Sequence, residues 1–230
     1  MLSVQNSRLR YVAYGALCLL PRLAWSQSVP CPAPDSLAPW IQVLRDWKTE
    51  VSGQWRHDSL RRVLLSMAAA DQAARRDLGA RVGDSAYVRA LISGDSARVE
   101  AMSAILDEFG LPGRALVGAA GADAAMLIVQ HNAALQTRAL ALATQLPPAQ
   151  VSPEALAMLE DRLAVSEGRP QRYGTQFTLG QDTTYRLAPV LDRPNLAARR
   201  ARAGLPPMEL YVCWLEESGM RVDRRSLRPR

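Results

Sequence analysis

The sequence contains little histidine, cysteine or lysine, and each shortage narrows the sites that the chain can build. Its 230 residues include two histidines, His57 and His131, which are too few for a histidine-rich metal site. The cysteines show no Cys-x-x-Cys or Cys/His spacing, so a structural zinc site is excluded. One lysine, Lys48, stands among 28 basic residues, a preference for arginine that is typical of a GC-rich genome.

Signatures of common enzyme classes are also missing. The sequence has no Gly-x-Ser-x-Gly, His-Glu-x-x-His, Walker or Gly-x-Gly-x-x-Gly pattern. Gly113, Gly118 and Gly121 lack a following Lys-Ser/Thr, so we expect a glycine-marked loop there and no phosphate cradle. Two Gly-Asp-Ser-Ala segments, at 83–86 and 94–97, resemble a serine-hydrolase motif, but we interpret both as helix caps.

The composition and charge indicate a soluble globular protein that does not bind nucleic acid. Hydrophobic residues make up 48% of the chain and charged residues 22%, as in an ordinary globular domain. The net charge of +6 comes from the ends, with +3 in residues 1–26 and +4 in residues 221–230, which leaves −1 for residues 27–220. Nucleic-acid binders carry a basic face on the folded domain, so we expect no such partner.

Residues 1–26 have the layout of a secretory signal peptide. Arg8 and Arg10 precede an apolar run at 11–20, which is too short to span a bilayer. Small residues at 24 and 26 supply a cleavage site; the alternative is an uncleaved anchor. The pattern predicts an exported protein, periplasmic or secreted, with no membrane span after cleavage.

Two cysteines, Cys31 and Cys213, remain after cleavage. In an oxidising compartment they are candidates for one disulfide, which would tie the extended segment 27–35 to a C-terminal helix. In the chain-entropy model a disulfide that closes so long a loop stabilises the folded state by roughly 4–5 kcal/mol. The alternative is that Cys213, within an apolar run, is a buried free thiol.

Helical spacing of apolar residues through most of the mature chain predicts a mainly α fold. We expect a single helical domain over 36–218 with a small β-hairpin near the C-terminus at about 171–189, followed by an arginine-rich tail, 219–230, that is disordered from Arg221. Asp58 and Ser59 are expected to cap the second helix, with His57 exposed before them. The predicted helices cover residues 36–50, 58–78, 94–109, 122–134 with a continuation or a restart to 146, 153–168, 194–203 and 206–217.

Polar residues interrupt the apolar stripes of three predicted helices. Asp71 lies on the buried face of the second helix, with Arg75 one turn later; His131 and Arg162 lie on apolar faces of two others. A buried charge without a partner is costly, so these groups are expected to pair in an Asp–His–Arg network.

This network has two interpretations. In the first it is catalytic, with His131 as general base, Asp71 orienting it and Arg162 binding charge, while hairpin residues line the mouth. In the second it is a polar core network that only fixes helix register.

The chain resembles an uncharacterised bacterial family of unknown function in which Gln-His, Asp-Arg and Tyr-Gly-Thr-Gln recur in this order. The resemblance covers roughly residues 58–216, and the block from Asp-Arg to Tyr-Gly-Thr-Gln is its most specific part. Gly110-Leu111-Pro112 departs slightly from the family pattern, which often has Trp in the middle. The resembling residues are Asp71-Gln72 with Arg75 or Arg76, Gly110-Leu111-Pro112, Gln130-His131, Gln136, Asp161-Arg162, Gly168, Gln171, Tyr173-Gly174-Thr175-Gln176 and Gly204-Leu205-Pro206.

The family implies no activity, but its motif residues coincide with the polar cluster. The sequence therefore favours either an exported hydrolase- or transferase-type enzyme or a non-catalytic ligand- or partner-binding module of the cell envelope, with cofactor and partner undefined. A third alternative is contact of the arginine tail with an anionic lipid or polymer. The candidate catalytic residues are His131, Asp71, Asp161 and Arg162, and the candidate binding residues are Gln72, Arg75, Gln130, Gln171, Tyr173, Thr175 and Gln176.

Overall fold

The computed structural model describes residues 31, 38–49, 54–81 and 83–228. It confirms the expected mainly α fold with a small antiparallel hairpin near the C-terminus. The predicted signal peptide and most of the segment 27–35 lie outside the described residues. No helix in the described part of the chain is both long and apolar enough to cross a bilayer. The elements are α1 (Pro39–Lys48), α2 (Asp58–Arg75), α3 (Leu78–Arg81), α4 (Ser85–Phe109), α5 (Arg114–His131), α6 (Ala133–Ala143), α7 (Pro153–Ser166), β1 (Phe177–Leu179), β2 (Tyr185–Leu187), α8 (Leu196–Arg202) and α9 (Met208–Glu217), with 3-10 turns at Arg193–Asn195 and Arg224–Leu227.

The chain divides into two compact units. The helical unit comprises the described residues of Arg45–Leu159, and the hairpin unit comprises residues 31 and 38–44 together with residues 160–228. The hairpin unit is thus built from two separate stretches of sequence. The single domain over 36–218 stays a prediction.

In the helical unit, α2, α4 and α6 pack against α5, which is the most enclosed helix. Its sequence is small or apolar nearly all round, the pattern of a helix covered on several sides. Gly118 has a φ of 71°, in the left-handed region that favours glycine, and this residue bends α5 after its first turn. The bend leaves the main part of the helix running to His131, where the polar cluster is found.

Two helix starts differ from the prediction. The side chain of Asp84 accepts hydrogen bonds from the N–H groups of Ala86 and Tyr87, so α4 begins at Ser85 and not near Gly94. The first Gly-Asp-Ser-Ala segment is therefore a cap, whereas the second lies inside α4. The expected glycine loop is also wrong, because α5 already begins at Arg114 and the chain is helical on both sides of its bend.

His57 is itself the N-cap of α2. Its Nδ1 accepts a hydrogen bond from the N–H of Leu60 at 3.2 Å. The ring also packs edge-on against Phe109, with 5.0 Å between centroids, and is half-buried. The expectation of an exposed His57 before a cap at Asp58 and Ser59 is wrong, because the imidazole replaces those side chains as the acceptor.

In the hairpin unit, β1 and β2 pair antiparallel, with Phe177 opposite Leu187. These two side chains contribute to a small core with Tyr211, Val212 and other apolar residues of α9. The Sγ atoms of Cys31 and Cys213 are bonded, which links residue 31 to that same helix.

The described part of the arginine-rich tail, residues 219–228, is folded, contrary to the expectation of disorder from Arg221. Val222 forms a bridge with Tyr185 of the hairpin, and Asp223 caps the 3-10 turn that follows. Leu227 packs against the core of the hairpin unit. Apolar residues spaced between the arginines therefore bind the tail to the fold.

Candidate functional site

Asp71 is the centre of a polar cluster inside the helical unit. Its position in the apolar stripe of α2 leaves its side chain completely inaccessible to solvent. A buried carboxylate is costly unless it is paired, so its neighbours determine its role. Those neighbours are His131 at the end of α5, Arg75 one turn along α2, and Arg98 on α4.

The shortest of these contacts joins Asp71 and His131. The Oδ2 atom of Asp71 lies 2.6 Å from Nδ1 of His131, whose side chain is 8% exposed. Burial alone would raise the pKa of Asp71, but the hydrogen bond from His131 and the charges of His131, Arg75 and Arg98 outweigh burial and lower this pKa. Asp71 is therefore ionised at neutral pH.

An ionised Asp71 fixes the tautomer of His131. A contact of 2.6 Å between a carboxylate and Nδ1 needs a hydrogen between them, so Nδ1 carries the proton and donates it. Nδ1 also lies 3.1 Å from Nε of Arg75, but a protonated nitrogen does not accept, and the shorter contact decides the assignment. Among the described residues no partner is found for Nε2 of His131, which is left as the proton acceptor of the ring.

Two arginines and a second carboxylate complete the cluster. The Oδ1 atom of Asp71 lies 3.2 Å from Nε of Arg98 and 3.4 Å from Nη2 of Arg75. Both guanidinium groups also donate to Oδ1 of Asp95, at 2.6 Å from Arg98 and 2.8 Å from Arg75. The two carboxylates and the two guanidinium groups therefore balance in formal charge.

The second Gly-Asp-Ser-Ala segment supplies part of this cluster, a role that the cap interpretation missed. Besides Asp95, the segment contains Gly94, where a Cβ atom would lie 3.2 Å from Nη1 of Arg98. The missing side chain thus makes room for the Arg98 guanidinium on the surface of α4. A signal was present, since an acid mid-helix with an arginine three residues later suggests an ion pair.

Two predicted glutamine ligands have structural partners. Gln72 donates from Nε2 to Oδ2 of Asp71 at 3.2 Å, so it belongs to the edge of the cluster. Gln130 donates to the carbonyl oxygen of Ala155 at 3.1 Å and is buried. Gln130 therefore secures the start of α7 within the helical unit.

Asp161 forms a separate centre in the hairpin unit. It is fully buried and accepts hydrogen bonds from the N–H groups of Arg172, Tyr173 and Thr175, and from the hydroxyl of Thr175, at 2.7–3.1 Å. These bonds fix the backbone around the Tyr-Gly-Thr-Gln segment; we call residues 171–176 the motif loop. Asp161 is therefore used to hold a loop.

Three more buried side chains stabilise the motif loop: Gln171 and Gln176 at its two ends, and Arg200 from α8. Gln171 and Gln176 bond each other, since the Gln176 N–H donates to Oε1 of Gln171 at 2.8 Å and Nε2 of Gln171 donates to the Gln176 carbonyl at 2.8 Å. Arg200, which is 1% exposed, donates to the carbonyls of Tyr173 and Gly174. Most polar groups of the loop are thus satisfied within the hairpin unit.

Tyr173 lies in the motif loop and is half-buried. Its hydroxyl bonds Glu160, and burial raises the pKa of both groups. Arg162 is also in this unit, and burial lowers its pKa to about 10. Sequence reasoning did not identify Glu160, because a single glutamate beside Asp161 carries no pattern of its own.

The structure thus sorts the predicted site residues into two sets. Asp71, Arg75 and His131 come together in the helical unit with Asp95 and Arg98, whereas Arg162, which the expected Asp–His–Arg network also included, belongs to the hairpin unit. Asp161, Arg162, Gln171, Tyr173, Thr175 and Gln176 belong to the hairpin unit, where the first of these organises the motif loop.

A family model matches residues 58–223 of the chain, well over half of its length, and confirms the resemblance noted in the sequence. The chain belongs to this family of unknown function, DUF6624. A search of curated proteins found no match. A search of solved structures found none either.

Proposed function

We propose that the chain is an exported bacterial enzyme of the hydrolase or transferase type, with His131 as general base and Asp71 as the group that orients it. The observation that carries the proposal is the 2.6 Å contact between Nδ1 of His131 and Oδ2 of a fully buried Asp71. This contact holds the imidazole in one tautomer and orientation, the role of the carboxylate in Asp–His pairs of acyl-transfer enzymes.

The chemistry follows from the free nitrogen. With Nδ1 protonated, Nε2 can remove a proton from water or from a hydroxyl group. The imidazolium that forms is stabilised by the negative charge of Asp71, which lies at hydrogen-bonding distance from it. General-base action of this kind typically contributes 10²- to 10⁴-fold to a rate.

Arg75 supplies the cation of this site. Sequence reasoning gave that role to Arg162, but Arg75 lies beside His131, with its Nε atom 3.1 Å from Nδ1. Its Nη1 atom is buried and has no hydrogen-bond partner in the described part of the chain. Because this guanidinium also pairs with Asp71 and Asp95, its part in the proposal is to hold the two carboxylates beside His131.

Export is proposed from two features. The signal-peptide pattern of residues 1–26 predicts transfer across the membrane. The bonded pair Cys31–Cys213 fits an oxidising compartment, where disulfides persist. We therefore place the mature protein in the periplasm or outside the cell.

The test of the enzyme is a screen of chromogenic carboxylic, phosphate and sulfate esters with wild type, His131→Ala and His57→Ser. His57 is the matched control, since serine replaces its N-cap bond. We expect the wild type to turn over at least one of these esters. His131→Ala should reduce that turnover at least 100-fold, and His57→Ser should retain it. Equal turnover in all three proteins would overturn the assignment, as would ¹⁵N NMR showing the proton of His131 on Nε2.

The second candidate is a binding module that uses the motif loop without chemistry. The observation that favours it is the preorganisation of this loop by Asp161, Gln171 and Arg200, since a loop held in one conformation loses little entropy on binding. Tyr173 and Gln176 are the proposed contacts, although Gln176 is buried and bonded to Thr175. A Tyr173→Phe variant that loses binding of a captured ligand, while His131→Ala keeps it, would select this candidate.

A further inference from the structure

The hairpin unit contains an open groove of about 780 Å³ that takes no part in the proposed chemistry. The groove lies between β2, the residues that follow it and the 3-10 turn Arg224–Leu227. Its size is within the range of roughly 300–1,000 Å³ that is usual for small-molecule sites. Four apolar residues form one part of its lining: Leu187, Pro189, Val190 and Pro194.

The rest of the lining is strongly basic. Arg186, Arg193, Arg225 and Arg228 face a single acid, Asp223, so the lining carries a formal charge of +3. The groove therefore combines an apolar wall with an excess of cationic groups.

The two arginines nearest the hairpin are held by the fold. Arg186 pairs with Asp182 and Asp223. Arg193 donates to the carbonyl oxygens of Ser226 and Arg228, at 3.0 and 2.5 Å, and these neutral acceptors leave its charge without an acid. Arg193 thus fixes the wall of the groove and keeps a positive potential inside it.

The other two arginines are available to a ligand. Within the described residues no hydrogen bond or ion pair is found for the side chains of Arg225 and Arg228, and both residues are largely exposed at the rim. A guanidinium group binds phosphate or carboxylate oxygens through paired N–H groups, which gives the rim a preference for an anionic head group.

We propose that this groove binds an anionic amphiphile, with its phosphate or carboxylate head group on Arg225 and Arg228 and its apolar chain against Val190 and the neighbouring prolines. An apolar wall beside unpartnered cations matches a ligand that has both parts, whereas a free anion would use only the rim. No groove residue is a nucleobase-stacking aromatic, which argues against single-stranded nucleic acid as the occupant.

The test is calorimetric titration of the mature protein with octyl phosphate below its micelle concentration, compared with inorganic phosphate and octyl glucoside. We expect octyl phosphate to bind at least tenfold more tightly than either. The double variant Arg225→Gln/Arg228→Gln should lose at least tenfold in affinity. The matched control, Arg76→Gln/Arg202→Gln, removes two exposed arginines outside the groove and should stay within twofold.

Three results would overturn the proposal. The first is equal binding of octyl phosphate by wild type and the groove variant, with both proteins folded by circular dichroism. The second is equal affinity for inorganic phosphate, which would mean that the apolar wall is unused. The third is binding of vesicles that contain anionic lipid without any binding of monomeric octyl phosphate, which would indicate a membrane-contact surface. A decline in affinity with added salt would support the head-group contacts.

Discussion

Replacing Asp71 with asparagine tests whether the polar cluster depends on one buried charge. The change keeps the side-chain volume and removes the charge shared by His131, Arg75 and Arg98. Breaking a buried ion pair from one side costs about 3–5 kcal/mol. We expect about 3 kcal/mol, the lower end, because both arginines keep Asp95 as a partner and remain 17% and 11% exposed.

The measurement is urea unfolding at pH 7 of wild type, Asp71→Asn and Asp107→Asn. Asp107 is the matched control, since it is an aspartate of the same unit that pairs with Arg138 while 70% exposed. An exposed pair contributes at most about 1 kcal/mol, so this control should change little. The slope of unfolding free energy against urea should stay constant, because the folded surface does not change.

The stability that Asp71 contributes should also depend on pH, in a direction that its lowered pKa determines. The pKa of Asp71 is lowered in the folded state, so its contribution to stability is complete above the unfolded pKa of about 4 and is lost as the pH falls through the folded pKa. The difference between wild type and Asp71→Asn should therefore shrink as the pH falls below about 4.

The reasoning would be refuted by a loss below 1 kcal/mol at pH 7 that does not vary with pH. The cluster would then be held by packing of its helices, and the orientation of His131 would not depend on the carboxylate.

Three further predictions concern other contacts. Asp161→Asn should cost about 3 kcal/mol in urea unfolding, because asparagine keeps one accepting oxygen and turns an NH₂ donor towards the remaining buried donors of the motif loop; a much smaller loss would mean that the loop does not need the carboxylate. Gly94→Ala should gain about 1 kcal/mol of helix propensity only in an Arg98→Ala background, since the new Cβ otherwise meets the Arg98 guanidinium; equal gains in both backgrounds would contradict this steric coupling. Cys31→Ser/Cys213→Ser should lower stability by about 5 kcal/mol in the chain-entropy model, and a thermal melt unaffected by reductant would contradict that loss.

Periodicity was sufficient to predict most helices and the pairing of Asp71 with His131. Both residues interrupt otherwise apolar stripes, and a buried ionisable group must find a partner, so the sequence restricts the arrangement strongly. The hairpin was predictable for a similar reason, because its Thr- and aromatic-rich strands flank a turn.

The ion pair of Asp95 with Arg98 could be predicted from local sequence, but its contact with Arg75 could not. Asp84 and Asp95 stand in identical Gly-Asp-Ser-Ala segments, but only the first lies where N–H groups lack helical acceptors. Asp95 lies inside the same helix, and its partner Arg75 comes from another helix. The distinction depends on tertiary packing, which a four-residue pattern does not contain.

The separation of the motif residues changes which of them are worth testing for chemistry. The carboxylate of Asp161 accepts hydrogen bonds from backbone N–H groups of the motif loop, and the side-chain amides of Gln171 and Gln176 bond within the same loop. The stability of the fold therefore already explains why these three residues are polar. His131 is different, because the fold uses only one of its two nitrogens. A side chain that keeps a nitrogen free of structural hydrogen bonds is the better candidate for function. His131→Ala should therefore abolish activity in a folded protein, while Asp161→Asn should reduce activity only as far as it unfolds the protein.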